Sequence, residues 1–278
     1  LLRGRGGPFF LGDYRLLEQR KTPHRGRLFS ARHQPTGREV AVVVLETDAC
    51  DDPATWESIV RATQLATQVS DPVVSKTWAL EQADRRRLVV CEAIAGASLG
   101  EMFSELGTRP LAETGRIVFA VARAMAELHR LGIVHGAISL HTIIAAKPDN
   151  AGSDGPPVRL LQFPLAGEPH VHPPRLPLED PRRLEALGQR ICFVAPELAT
   201  PGATATATSD VYALGCVLAA LLTGRLPNWD GTVSGTLART QQAGLQPLAR
   251  GRVPAEVATA IDYMTAADPL QRYASAVE

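Results

Sequence analysis

Apolar and polar positions follow a two-residue rhythm in the first third of the chain and a helical one afterwards. From Phe29 to Leu45 the order is strand, turn, strand. Gln34-Pro35-Thr36-Gly37 places Pro and Gly where a tight turn needs them, and Glu39 to Leu45 is a β-branched run. Trp56, Ile59, Val60, Leu65 and Val69 recur at helical spacing and stop before Asp71-Pro72. Arg87 to Glu92 reads as another short strand and Ala93 to Gly100 as a hinge of small residues. Beyond it Ile117, Val118, Val121, Met125 and Leu128 mark one apolar helix face ending near Gly132. Val211 to Leu222 is apolar on every side, with Ser209 or Asp210 as cap and Gly224 as stop, which places that helix in the middle of a lobe. Ala203-Thr204-Ala205-Thr206-Ala207-Thr208 reads as a loop. The pattern predicts an N-terminal flank (1–13), a small β-rich lobe (14–92), a hinge (93–100) and a larger helical lobe (101–278) that stops inside its last helix.

Composition narrows the function. The 278 residues hold 29 Lys+Arg against 29 Asp+Glu and are 45% hydrophobic, which argues for an ordinary packed core and against a disordered tail or a basic nucleic-acid binder. The run Val211–Leu222 is well short of the roughly 20 apolar residues of a membrane span, so none is expected in this chain. Cys50, Cys91, Cys192 and Cys216 lie far apart without CxxC spacing, which disfavours zinc and points to a reduced, cytoplasmic compartment. The opening residues carry no signal-peptide pattern, and the chain reads as a domain of a longer polypeptide.

Six landmarks occur in order: Glu39-Val40-Ala41-Val42-Val43-Val44-Leu45; Gly132-Ile133-Val134-His135-Gly136-Ala137-Ile138-Ser139-Leu140-His141-Thr142; Leu160-Leu161-Gln162-Phe163-Pro164; Ala195-Pro196-Glu197; Ser209-Asp210-Val211-Tyr212-Ala213-Leu214-Gly215; and Asp268-Pro269-Leu270-Gln271-Arg272-Tyr273. Together they resemble a protein kinase domain over nearly the whole chain, closest to bacterial Ser/Thr kinases. The resemblance implies an α+β, bilobal fold. It also lets each catalytic part be compared position by position. The phosphate loop is matched by Lys21-Thr22-Pro23-His24-Arg25-Gly26, where one glycine remains. The strand lysine is matched by Val43 and its helix glutamate by Ala62. In the catalytic loop the arginine is matched by Gly136, the aspartate by Ala137 and the metal-binding asparagine by Thr142. Gln162 stands for the second metal-binding aspartate and Pro164 for the glycine after it.

A triphosphate needs metal, lysine and aligned amides around its charges, and these substitutions remove them. The expectation is therefore a pseudokinase: no cofactor, no metal, weak or absent ATP binding and no phosphotransferase activity. Of three lysines (Lys21, Lys76 and Lys147), only Lys21 is placed to replace a phosphate contact. The resemblance also implies framework roles. Glu197 and Arg272 match a pair tying the activation segment to the late helices, Asp210 the holder of the catalytic loop, and His135 with Phe163 two members of a hydrophobic spine. Between Phe163 and Glu197 there is no Ser, Thr or Tyr while prolines recur, so phosphorylation has no acceptor there. His170-Val171-His172 lacks a third ligand, and Cys91 reads as an inert buried thiol.

The expected role is a signalling scaffold or allosteric regulator that binds another protein of unknown identity. Two alternatives stay open: a divergent nucleotide-dependent transferase using Lys21, and a passive structural module of a larger signalling protein.

Overall fold

The structure, a computed structural model, describes residues 9–20, 27–45, 51, 53–145, 158–161, 178, 184, 187–245 and 253–278. Lys21, Gln162, Phe163, Pro164, Cys50 and the pair His170 and His172 lie outside them. The N-terminal lobe is built on a six-stranded antiparallel sheet of order β1-β2-β3-β4-β6-β5. Its strands are β1 (Phe9–Leu11), β2 (Tyr14–Arg20), β3 (Arg27–His33), β4 (Glu39–Val44), β5 (Thr77–Ala83) and β6 (Arg86–Glu92). A helix, α1 (Pro53–Ala66), lies between β4 and β5. The expected hairpin is β3–β4, and Gly37 at its turn has φ +69°, a conformation natural to glycine. The sheet curls until its first strands meet its last: the Tyr14 hydroxyl donates to the Glu81 carboxylate at 3.0 Å, and the Gly12 amide donates to Asp84 at 3.2 Å.

Alternation along β4 separates two apolar clusters. Val40, Val42 and Val44 pack with Leu11, Tyr14, Phe29, Leu88 and Val90 on one side of the sheet. Val43 and Leu45 pack with Ile59 of α1, Val89 and Cys91 on the other, where Leu28, Ala41, Trp56 and Leu161 also gather.

The second lobe contains α2 (Leu99–Leu106), α3 (Leu111–Arg130), the two-stranded ribbon β7 (Ile143–Ala145) with β8 (Val158–Leu160), then α4 (Ala207–Thr223), α5 (Val233–Ala243) and α6 (Ala255–Met264). Short 3-10 turns occupy Gly188–Phe193, Pro196–Ala199 and Pro269–Gln271. As expected, α4 is the central helix: every residue from Ser209 to Leu222 is buried. Burial of each large apolar side chain there contributes about 1.5–3 kcal/mol. Its cap differs from the expectation. Thr206 caps the helix, accepting the Ser209 amide while the Ser209 hydroxyl accepts the Thr206 amide, so the helix starts at Ala207, within the alternating Ala-Thr tract. Ser209 and Asp210 lie inside the first turn, which frees Asp210 for other bonds. Gly224 ends the helix in the left-handed region, φ +64°, as expected.

Two boundaries move. The hinge is shorter than 93–100, because Ser98 caps α2 with Glu101 as its reciprocal partner and the helix begins at Leu99. After Gln271 the chain runs as bends and a turn, without the helix expected at its end. No helix among the described residues is long and apolar enough to cross a membrane.

Contacts from the segment between α1 and β5 tie the lobes together. The Ser75 amide donates to Leu160 O at 2.8 Å and the Leu160 amide to Val73 O at 2.7 Å. Glu127 of α3 accepts both the amide and the hydroxyl of Ser70, and Arg123 pairs with Asp71 at 3.2 Å. Arg159 of β8 pairs with Glu92 at 2.6 Å, and the same Glu92 oxygen accepts the Lys76 amide.

Candidate functional site

The groove between the lobes is floored by residues 131–142, which link α3 to β7. Asp210 organises this loop from below, with 1% of its side chain exposed. Its Oδ2 accepts the His135 amide at 2.8 Å, and its Oδ1 accepts the Gly136 amide at 2.7 Å. His129 of α3 reaches the same carboxylate, with Nε2 at 3.1 Å from Oδ2. At Gly136 φ is +66°, in the region that an arginine side chain would strain, so the substitution suits the backbone the loop adopts.

His135 is buried, and both of its ring nitrogens are engaged. Nδ1 accepts the Ala137 amide at 3.2 Å, which leaves Nε2 as the donor to Leu161 O at 2.8 Å. The ring thereby joins the loop to the chain leaving β8. Thr142 has one oxygen, and it is fully used: it accepts the Ser139 amide at 3.0 Å and faces the carbonyls of Ala137 and Ser139, each at 3.0 Å. With 1% exposure, that hydroxyl serves the loop and does not project into the groove.

Above the loop, Val43 is 4% exposed and sits in the apolar cluster with Ile59, Val89, Cys91 and Leu161. Ala62 on α1 is 3% exposed. The structure thus links Val43 to the loop of His135, Ala137 and Thr142 through Leu161, which packs beside Val43 and whose carbonyl accepts the His135 ring N–H. Among the described residues no group of three or more His, Cys, Asp or Glu side chains could hold a metal ion.

Behind the groove, Arg272 and Glu197 form a two-pronged pair with both N–O distances at 2.8 Å. The arginine side chain is fully buried, while Glu197 keeps 25% exposure. Its remaining N–H groups point at Ala266 O, Thr208 O and Ala267 O, and its guanidinium lies 4.8 Å over the Tyr212 ring. All five donors have an acceptor. Gly215, one turn further along α4, leaves no room for a methyl group, since an added Cβ would lie 2.7 Å from Thr265 and 2.8 Å from Met264.

Burial controls the titratable groups. It pushes the Cys91 thiol up to about 12, the Thr77 hydroxyl pulling weakly the other way, and it pushes Cys192 to about 12 as well. Thiolate is the reactive form, so Cys91, Cys192 and Cys216, all free and buried, should resist alkylation in the folded chain and react only after denaturation. Mass spectrometry after a timed iodoacetamide pulse at neutral pH checks this, and rapid native labelling of Cys91 would contradict it.

His135 and His141 are both held below the ordinary imidazole value. Burial is the main cause at each; at His135 the Asp210 charge opposes it without winning, and at His141 the Arg190 charge adds to it. The unfolded chain therefore takes up protons that these folded rings refuse. Their contribution is complete above the unfolded value of about 6.5 and is lost as pH falls below it. The melting temperature is expected to drop between about pH 7 and pH 5, and a flat profile across that range would contradict the assignment.

Two connections had no sequence signal. His129 lies outside the six landmarks. The Glu92–Arg159 bond joins residues 67 apart and becomes visible only when the lobes are assembled.

The chain matches the family model described as "Protein kinase domain" over residues 24–276. It is similar to serine/threonine-protein kinase PrkC of Bacillus subtilis, at 29% identity over 242 residues, covering 86% of this chain and 35% of that protein. It is also similar to the probable serine/threonine-protein kinase CE0033 of Corynebacterium efficiens, at 29% identity over 272 residues, covering 90% of this chain and 38% of that protein. A third relative is the probable serine/threonine-protein kinase PknB of Corynebacterium glutamicum, at 28% identity over 204 residues, covering 72% of this chain and 30% of that protein. The chain spans between 30% and 38% of the length of these relatives. These findings correct the expectation of a chain that is not an enzyme. The matching family and the relatives' names are those of phosphotransferases, and unlike residues at Val43, Ala137 and Thr142 do not by themselves outweigh that assignment.

Proposed function

The chain belongs to the protein kinase family, and from that premise we propose that it acts in signalling as a regulatory scaffold that binds another protein. The observation that supports this reading is the contrast between framework and groove. Asp210 holds the loop through the His135 and Gly136 amides, and Arg272 holds Glu197 within the helical lobe. Val43, Ala62 and Ala137, by contrast, offer no charge to a ligand, and Thr142 spends its oxygen within the loop. A surface of fixed shape is what such a framework presents to a partner.

Family membership supports a second reading, a nucleotide-dependent transferase with a rearranged site in which Lys21 contacts phosphate. One experiment separates the two. The purified chain is titrated with ATP, ADP and GTP, each with Mg²⁺ or Mn²⁺, by calorimetry and thermal shift, beside a phosphoryl-transfer assay. Proteins cross-linked to it in cells are then purified and titrated against it. The scaffold reading expects one saturable protein complex whose affinity is unchanged by nucleotide. Ligand-dependent stabilisation of about 2.7 kcal/mol at a hundredfold excess over Kd, with transfer and no such complex, would establish the second reading instead.

A further inference from the structure

We propose that His129 is a proton-sensitive latch joining the C-terminal segment to the catalytic-type loop. The latch rests on the geometry of both ring nitrogens. The Ala276 amide lies 3.2 Å from Nδ1, and a backbone N–H can only donate, so Nδ1 carries no proton. The proton of the neutral ring is then on Nε2, which donates to Asp210 Oδ2 at 3.1 Å. That same oxygen accepts the His135 amide, and its twin accepts the Gly136 amide. One imidazole therefore connects residue 276 to the groove floor through a single carboxylate. The ring is 3% exposed, so water does not replace a lost partner.

A second proton must go on Nδ1, where it would meet the Ala276 N–H donor to donor. The imidazolium keeps and strengthens its bond to the Asp210 carboxylate, a charge-assisted contact, and the segment loses its anchor. The surrounding charged and titratable groups leave Asp210 as the counter-charge in contact. Arg272 is committed to Glu197, Glu278 accepts the Ala274 amide, and Glu127 accepts Ser70. Tyr212 stays neutral because burial raises it, and the ionic partner of the ring is Asp210. A charge on His129 also disfavours one on His135.

Release has a local consequence. Tyr273, Ser275, Ala276 and Glu278 form one wall of an apolar groove of about 480 Å³ against α3, α4 and α6. The latch therefore sets whether that wall stands, while the loop remains held by Asp210.

The test follows the ¹⁵N shifts of the His129 ring and the hydrogen-exchange protection factors of the backbone in the whole chain, from about pH 8 to about pH 5.5. The neutral ring should show an unprotonated Nδ1. As the ring takes up its second proton, protection at Ala276 should fall about tenfold while His135 and Gly136 stay protected. His129→Gln places an amide that can donate to Asp210 and accept from Ala276, and it should abolish the pH dependence. If that variant does not fold, Ala276→Pro, which deletes the competing N–H, should let the ring protonate at higher pH than in the unaltered chain. Constant protection at Ala276 while the ring titrates, a ring that stays neutral until global unfolding, or unchanged pH dependence in either variant would each overturn the latch.

Discussion

Replacing Arg272 with alanine is expected to destabilise the domain by about 3–5 kcal/mol, because Glu197 is left three-quarters buried without a counter-charge and three carbonyls lose their donors. At about 2–4 °C per kcal/mol for a chain approaching this size, the melting temperature should fall by roughly 6–20 °C. Arg272→Lys should recover little of this. A lysine keeps the charge but has no planar fork, so it cannot meet both oxygens of Glu197 and the carbonyls of Ala266, Ala267 and Thr208 together. Calorimetry of the three proteins side by side decides the matter. A lysine variant as stable as the parent would show that charge alone, not geometry, is what the site needs.

The second large effect is expected at Asp210. Asp210→Ala removes the acceptor of the His135 and Gly136 amides and of the His129 ring, all at a position with 1% exposure. An orphaned buried donor costs about 1–3 kcal/mol, so the loss for three donors is at least about 3 kcal/mol, and the loop should lose order with it. Asp210→Asn is the informative variant. One oxygen survives, but the new NH₂ group must face a donor, so it should be intermediate in stability, with weaker amide protection at whichever of His135 and Gly136 lies opposite the nitrogen. Denaturant unfolding combined with hydrogen exchange measures both effects. An Asp210→Asn chain with full loop protection would mean that the loop is held by its other contacts, such as Thr142.

Why some of this was legible in the sequence follows from locality. The β3–β4 hairpin, the apolar face of α3 and the all-round burial of α4 are properties of short windows, and each is found where its pattern places it. The start of α4 was misplaced because Ser209 and Thr206 are both good caps, and the choice between them is made by their reciprocal bonds, which put Ser209 one turn inside. The short hinge has the same origin at Ser98 and Glu101. Family resemblance pointed to Glu197, Arg272, Asp210 and His135; the structure shows Arg272 bonded to Glu197, Asp210 to the His135 amide and the His135 ring to Leu161 O. It gave no sign of His129, because a histidine within an amphipathic helix has no distinguishing pattern until Asp210 and Ala276 converge on it from 81 and 147 residues away. The same resemblance misled on the question of enzyme or non-enzyme. Position-by-position comparison weighs each unlike residue heavily, whereas the match over residues 24–276 reports the fold and family as a whole.

One cluster bears on how the molecule comes apart. Leu161, which follows the last strand of the helical lobe, packs among Val43, Ile59, Val89 and Cys91 of the other lobe, and the backbone of Leu160 pairs with Val73 and Ser75 beside it. The two halves thus share hydrophobic interior and mainchain bonding along this contact. Loss of either half strips the other of part of its own core, so the domain should melt in one cooperative step and tolerate division between its lobes poorly.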